Sequence, residues 1–191
     1  MKTIAYIVLA AFLTVHAYAQ EEQRVDSKTA KKIAKEQRKL QEQIQAESMS
    51  RLVDSLVNDR NFILEANYLS NQSGRRVIVD EKINFIIVDS TDIIIQYGSL
   101  GSPMIGYNGL GGVTTDGNIT KFEVAKTGRN KDQYSIQITA MTTLGIYDVF
   151  LYISPDGNAT ATIGGNTRGK LVYYGNIIPV KGSRIYKGSV I

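Results

Sequence analysis

Four aspartates are the residues best suited to acid–base chemistry. Asp89 and Asp92 bracket a polar tetrapeptide, Asp116 stands near the end of a glycine-rich stretch, and Asp148 interrupts an apolar run. Glycoside hydrolysis would use two such carboxylates roughly 5–10 Å apart across a sugar. The first three sit where aspartate commonly closes turns. Asp148 is the least expected, although a mid-strand carboxylate can face water or pair with a neighbouring lysine. A carboxylate-based hydrolase is therefore the third reading of this chain, and no catalytic residue is assigned.

The side chains that are missing constrain the chemistry more. The chain has one histidine, His16, with no cysteine and no tryptophan. Residues 1–19 read as a secretory signal peptide: Lys2, an apolar run from Ile4 to Val15, and a small-x-small site at Ala17-Tyr18-Ala19. Cleavage after Ala19 would remove His16. The mature chain would then lack the ligands of the usual zinc sites and any Ser-His-Asp or Cys-His device, and could form no disulfide. No cofactor and no metal are expected. No later segment approaches the roughly 20 apolar residues of a spanning helix. The net charge of +4 becomes +3 once Lys2 is lost, with both signs interspersed, which gives no footprint for nucleic acid.

Two constellations could bind rather than react. The stretch Gly98–Gly117 holds seven glycines in twenty residues and follows Tyr97. That composition opposes regular structure, and long loops in compact domains are commonly functional or disordered. Met104, Ile105, Tyr107 and Leu110 in it are not needed by a solvated linker. Either the stretch is a flap that brings them onto a ligand, or it is a cover that buries them. Gly109-Leu110-Gly111-Gly112 lacks the Lys-Ser/Thr and the following helix of a nucleotide loop. The second constellation is Arg168 with Tyr173 and Tyr174, suited to an acidic or carbohydrate ligand through charge-assisted bonds and ring stacking. Successive strand residues face opposite sides, however, so one tyrosine is expected in the core and one outside. The candidate ligand-binding set is Tyr97, Met104, Tyr107, Leu110, Arg168 and Tyr173.

The elements that must position these residues change character near residue 60. Residues 20–60 are rich in Lys, Arg, Glu, Gln and Ala and read as a charged helical segment, with helix over 28–60. An apolar stripe at Met49, Leu52, Val53, Leu56 and Val57 should pack on the domain. If it stays exposed, it would dock a partner. From Asn61 the apolar period becomes two. Phe62, Leu64, Ala66 and Tyr68 alternate with Ile63, Glu65 and Asn67. Runs 83–88 and 93–97 read as a hairpin around Asp89-Ser90-Thr91-Asp92. Tyr134, Ile136, Ile138 and Ala140 mark a half-buried strand. Residues 146–153 lead into Ser154-Pro155-Asp156-Gly157-Asn158, a type I turn with a bulge. Strands follow at 159–163 and 170–174, the last ended by Gly175. Residues 61–180 are thus expected to be mainly β, an antiparallel meander of about eight or nine strands, barrel-like or sandwich, with an N-terminal helix. Residues 181–191 read as a basic, loosely held tail.

The segment Phe62–Asn67, Gly74, the following hairpin and the block 119–177 form a recognisable order. Asn166-Thr167-Arg168-Gly169-Lys170-Leu171-Val172-Tyr173-Tyr174-Gly175-Asn176-Ile177 is its most distinctive run. Over roughly residues 50–178 the chain resembles a family of uncharacterised secreted domains from Bacteroidetes-type bacteria, a domain of unknown function. The glycine-rich 98–117 departs from that pattern. The resemblance implies an exported domain and supplies no chemistry. The leading expectation is a non-enzymatic binding module of the cell envelope, periplasmic or secreted. Its partner would be a small apolar or carbohydrate ligand, or an envelope protein. The second is a structural or interaction module docking through the helix.

Overall fold

The structure is a computed structural model that describes residues 2–71, 73–98, 112–165 and 170–190, with side chains from residue 29 onward. The chain divides into two compact units, Met1–Gln45 and Ala46–Ile191. The first unit is helical and belongs to α1 (Lys2–Asn58). On its described surface Ile33, Leu40 and Ile44 are isolated exposed apolar residues, and Arg38 pairs with Glu42 at 2.9 Å one turn on. No helix among the described residues is long and apolar enough to cross a membrane.

The second unit contains the last turns of α1 and nine strands: β1 (Asn61–Ser70), β2 (Arg76–Ile78), β3 (Phe85–Asp89), β4 (Asp92–Tyr97), β5 (Val113–Thr127), β6 (Gln133–Thr142), β7 (Gly145–Ile153), β8 (Asn158–Gly165) and β9 (Leu171–Ile178). All pairings are antiparallel. Strands β3 to β9 follow in sequence order, β1 pairs with β3 on one side, and β1 also pairs with β9. That last pairing closes β1 and β3–β9 into an eight-stranded barrel, and β2 is an extra short strand on β1. The choice between barrel and sandwich is settled as a barrel.

Alternation sets the barrel interior, which holds Phe62, Leu64, Val88, Ile93, Ile136, Ile138, Leu151, Ala161 and Tyr173, all buried. Two hairpins match their sequence signals. Asp89 and Asp92 face each other across the Ser90-Thr91 turn, with Ser90 in the left-handed region at φ 56°. In the β7–β8 turn the Gly157 amide donates to the Ser154 carbonyl at 2.9 Å, and Gly157 takes φ 85°.

Four expectations are corrected. Strand β5 begins at Val113, so Val113–Gly117 belong to the sheet, paired with β4 along its length. The alternation in β1 breaks at a bulge between Ala66 and Tyr68, which turns Leu69 inward and Tyr68 outward. Strand β9 continues through Gly175 to Ile178. A side chain at position 175 would put its Cβ 1.8 Å from the Glu65 carbonyl oxygen, so glycine there permits the closing β1–β9 seam rather than ending a strand. The basic tail is held: Tyr186 N–H donates to the Lys82 carbonyl at 2.7 Å, and Ser183 donates to Glu65 at 2.7 Å.

The two barrel ends differ. The final turns of α1 close the end where β1, β6 and β8 start. There Val53, Leu56 and Val57 join the core, and Asp54 receives the hydroxyl of Tyr134 and, at 3.3 Å, the ammonium of Lys126. Arg60 lies 4.5 Å from the centre of the Phe122 ring. The apolar helix stripe is therefore largely spent within its own unit, although Met49 and Leu52 remain 38% exposed.

Candidate functional site in the open end of the barrel

The opposite end carries the last residue of β4, the first of β5, the β6–β7 turn, the end of β8 and the start of β9. Between them lies a cavity of about 380 Å³, within the size range of small-ligand pockets. Its walls come from inward positions paired across strands: Tyr97 with Val113, Ile95 with Thr115, and Ile163 with Leu171. Leu144 from the β6–β7 turn and Tyr147 from β7 complete the apolar side, and Lys170 brings one ammonium to the wall. Gly165 faces Tyr147 across the β7–β8 pair. A Cβ there would lie 2.8 Å from the Tyr147 ring, so the glycine leaves room for that ring.

Tyr173 lies in the fully buried core and does not line the cavity. Its hydroxyl donates to the Gln96 carbonyl at 3.0 Å. Burial raises the titration of all three phenols. It pushes Tyr173 well above the ordinary range, with Tyr97 and Tyr147 adding to the effect. Tyr97 is raised by burial and then by Tyr147, and Tyr147 by burial alone. These phenols stay protonated near neutrality and act as neutral hydrogen-bonding groups, not bases.

Gln96 points away from the interior yet is fully buried. Its amide donates to the Ile83 carbonyl at 3.1 Å and the Tyr186 carbonyl at 2.8 Å. Its oxygen accepts from Thr114 and from the Gly188 amide, each at 2.8 Å. The tail is thereby fastened to the outside of the strand whose next residue, Tyr97, forms the mouth.

Of the residues expected to bind, Tyr97 lines the cavity and is 38% exposed. Met104, Tyr107, Leu110 and Arg168 lie outside the described residues. The segments that hold them join β4 to β5 and β8 to β9, whose described ends frame the mouth. Sequence reasoning missed Ile95, Val113, Thr115, Leu144, Tyr147, Ile163, Lys170 and Leu171. The usable signal was strand alternation carried to the strand ends on one side of the meander.

The aspartates are each engaged on the outer surface. Asp89 accepts from Asn61 at 2.9 Å, Asp92 from Asn118 at 3.0 Å, and Asp148 from Thr139 at 2.8 Å. Asp116 pairs with Lys187 at 3.8 Å. Asp92 and Asp116 border one open hollow on the outer wall, which they share with Lys187. Among the described residues, no three His, Cys, Asp or Glu side chains gather as a metal site would need.

A family model described as "Domain of unknown function (DUF4251)" matches residues 44–177. The fold is also that of a crystallised DUF4251 family protein from Bacteroides eggerthii. The TM-score is 0.59 at 24% identity, over 71% of this chain and 91% of that one. No curated protein matches the chain.

Proposed function

The chain belongs to the DUF4251 family, and on that footing we propose that it is an exported, non-enzymatic binding module that holds a small, largely apolar ligand in the open end of its barrel. The observation that carries this reading is the asymmetry of the two ends. One is filled by Val53, Leu56 and Val57 of α1. Among the described residues, the other keeps a 380 Å³ cavity walled by Ile95, Val113, Leu144, Ile163 and Leu171, with phenols and one ammonium to orient a polar group. A concave, mainly apolar site with a few placed polar groups is the usual form of a small-ligand pocket. Export is supported by the Lys2, Ile4–Val15 and Ala17-Tyr18-Ala19 pattern. The carboxylates are dispersed or lie on an open wall, which favours binding over hydrolysis.

The test is a fluorescence titration with 8-anilinonaphthalene-1-sulfonate, an apolar probe bearing one anion. We expect saturable binding to one site, lost in Val113→Trp, whose indole would occupy the cavity. Absence of saturable binding, or binding unchanged in that variant at equal folded stability, would overturn the reading.

A further inference from the structure

A second surface lies on the outer wall, away from the mouth. Tyr152 of β7, Thr160 of β8, Tyr174 of β9, Tyr68 of β1 and Ile78 of β2 are consecutive cross-strand partners. Four strand spacings of ~4.8 Å make this row about 19 Å long. Its members point outward, because Leu151, Ile153, Ala159, Ala161, Tyr173 and Leu69 beside them are buried. Tyr152 is 57% exposed and Tyr68 43%. The three tyrosines, with Asn67, Asn158 and Thr160, border a groove of about 360 Å³. The Arg76 guanidinium stacks on one of its bordering rings, 4.3 Å from the centre of Tyr174. Among the described residues, no carboxylate lines the groove. Asp156, beside it, is held by the Asn158 amide at 2.5 Å.

Exposed rings need a reason, because water disfavours them. The bulge in β1 supplies one phenol of the row by turning Tyr68 outward. Ring faces interleaved with hydroxyls and amides suit a hydroxylated ring compound, whose C–H face stacks while its hydroxyls bond at the edges. A dry protein contact would leave Thr160, Asn67 and Asn158 to be desolvated. A guanidinium stacked on a bordering ring, with no carboxylate among the described lining residues, favours an anionic substituent. We propose that the outer wall across β2, β1, β9, β8 and β7 binds an acidic glycan chain, its sugar rings on Tyr152 and Tyr68 and its carboxylates on Arg76. This site is independent of the cavity at the mouth.

The experiment is calorimetric titration of the protein with a 1,4-linked galacturonate hexamer and with a neutral 1,4-linked glucose hexamer. Tyr152→Ala and Arg76→Gln, each confirmed folded by thermal unfolding, are titrated alongside. The acidic hexamer should bind saturably and more tightly than the neutral one. Tyr152→Ala should weaken it about tenfold, and Arg76→Gln should erase the preference for the acidic chain. The proposal is overturned if the acidic hexamer does not bind, if the neutral hexamer binds equally well, or if either variant behaves as the parent. Self-association that Tyr152→Ala abolishes, read by ultracentrifugation, would assign the row to a second copy of the chain and equally overturn it.

Discussion

Gln96 shows how one side chain can organise two parts of this molecule. Its buried amide uses both N–H donors, its oxygen accepts twice, and three of the four bonds reach other segments through main-chain groups. Replacing it by leucine keeps much of the volume but strands the Ile83 and Tyr186 carbonyls and the Gly188 amide. Gln96→Leu should cost about 3 kcal/mol in urea unfolding, and trypsin should then cut at Lys181, Arg184 and Lys187 in otherwise native protein. Asp54 acts differently. Its carboxyl titrates below the ordinary range because the Tyr134 hydroxyl donates to it. Burial opposes that shift and the Lys126 ammonium reinforces it. A carboxyl that is more acidic folded than unfolded contributes fully above its ordinary range. That contribution is lost as the pH falls through the folded-state value. Asp54→Asn should therefore flatten the acid limb of the stability curve between about pH 2 and 5. The change should stay below about 1 kcal/mol, because solvent screens a carboxylate this exposed. None of these pairings was legible beforehand. Gln96 and Tyr186 are 90 residues apart, and Asp54 and Tyr134 are 80 apart. No local pattern joins them.

At the scale of elements, alternation and turn chemistry read well where they are local. The strand around Ile136 and both turns, at Ser90 and at Gly157, follow directly from residue types. Alternation misled where the backbone departs from a regular ladder. The β1 bulge reverses the phase after Ala66, so Tyr68 is a surface residue and not a core one. Glycine misled twice. Its presence opposes a strand at Val113–Gly117 and signals an end at position 175, whereas the sheet runs through both. The closing seam depends on Gly175. Gly175→Ala should cost at least about 2 kcal/mol, because backbone and not a flexible side chain stands in the way. Faster hydrogen exchange at the amides shared by β1 and β9 than at those shared by β6 and β7 would locate the damage. Equal exchange at both ladders would contradict this account of closure.

At the scale of the whole molecule, a mainly β domain with an N-terminal helix was legible, and closure was not. Closure rests on one pairing between β1 and β9, whose partners Ile63 and Ile178 lie at opposite ends of the β domain. The position of the cavity follows from that closure and from which end α1 fills. Sequence alone pointed to Tyr97 but could not bring Leu144, Tyr147 and Ile163 beside it. The central claim, a ligand held in the open end, is tested most directly by amide and methyl NMR during titration with laurate, an apolar chain ending in one carboxylate. The account predicts saturable shifts confined to Ile95, Tyr97, Val113, Thr115, Leu144, Tyr147, Ile163 and Leu171, with Val53 and Val57 at the filled end unmoved. Shifts spread evenly over the barrel, or none at these positions, would contradict it.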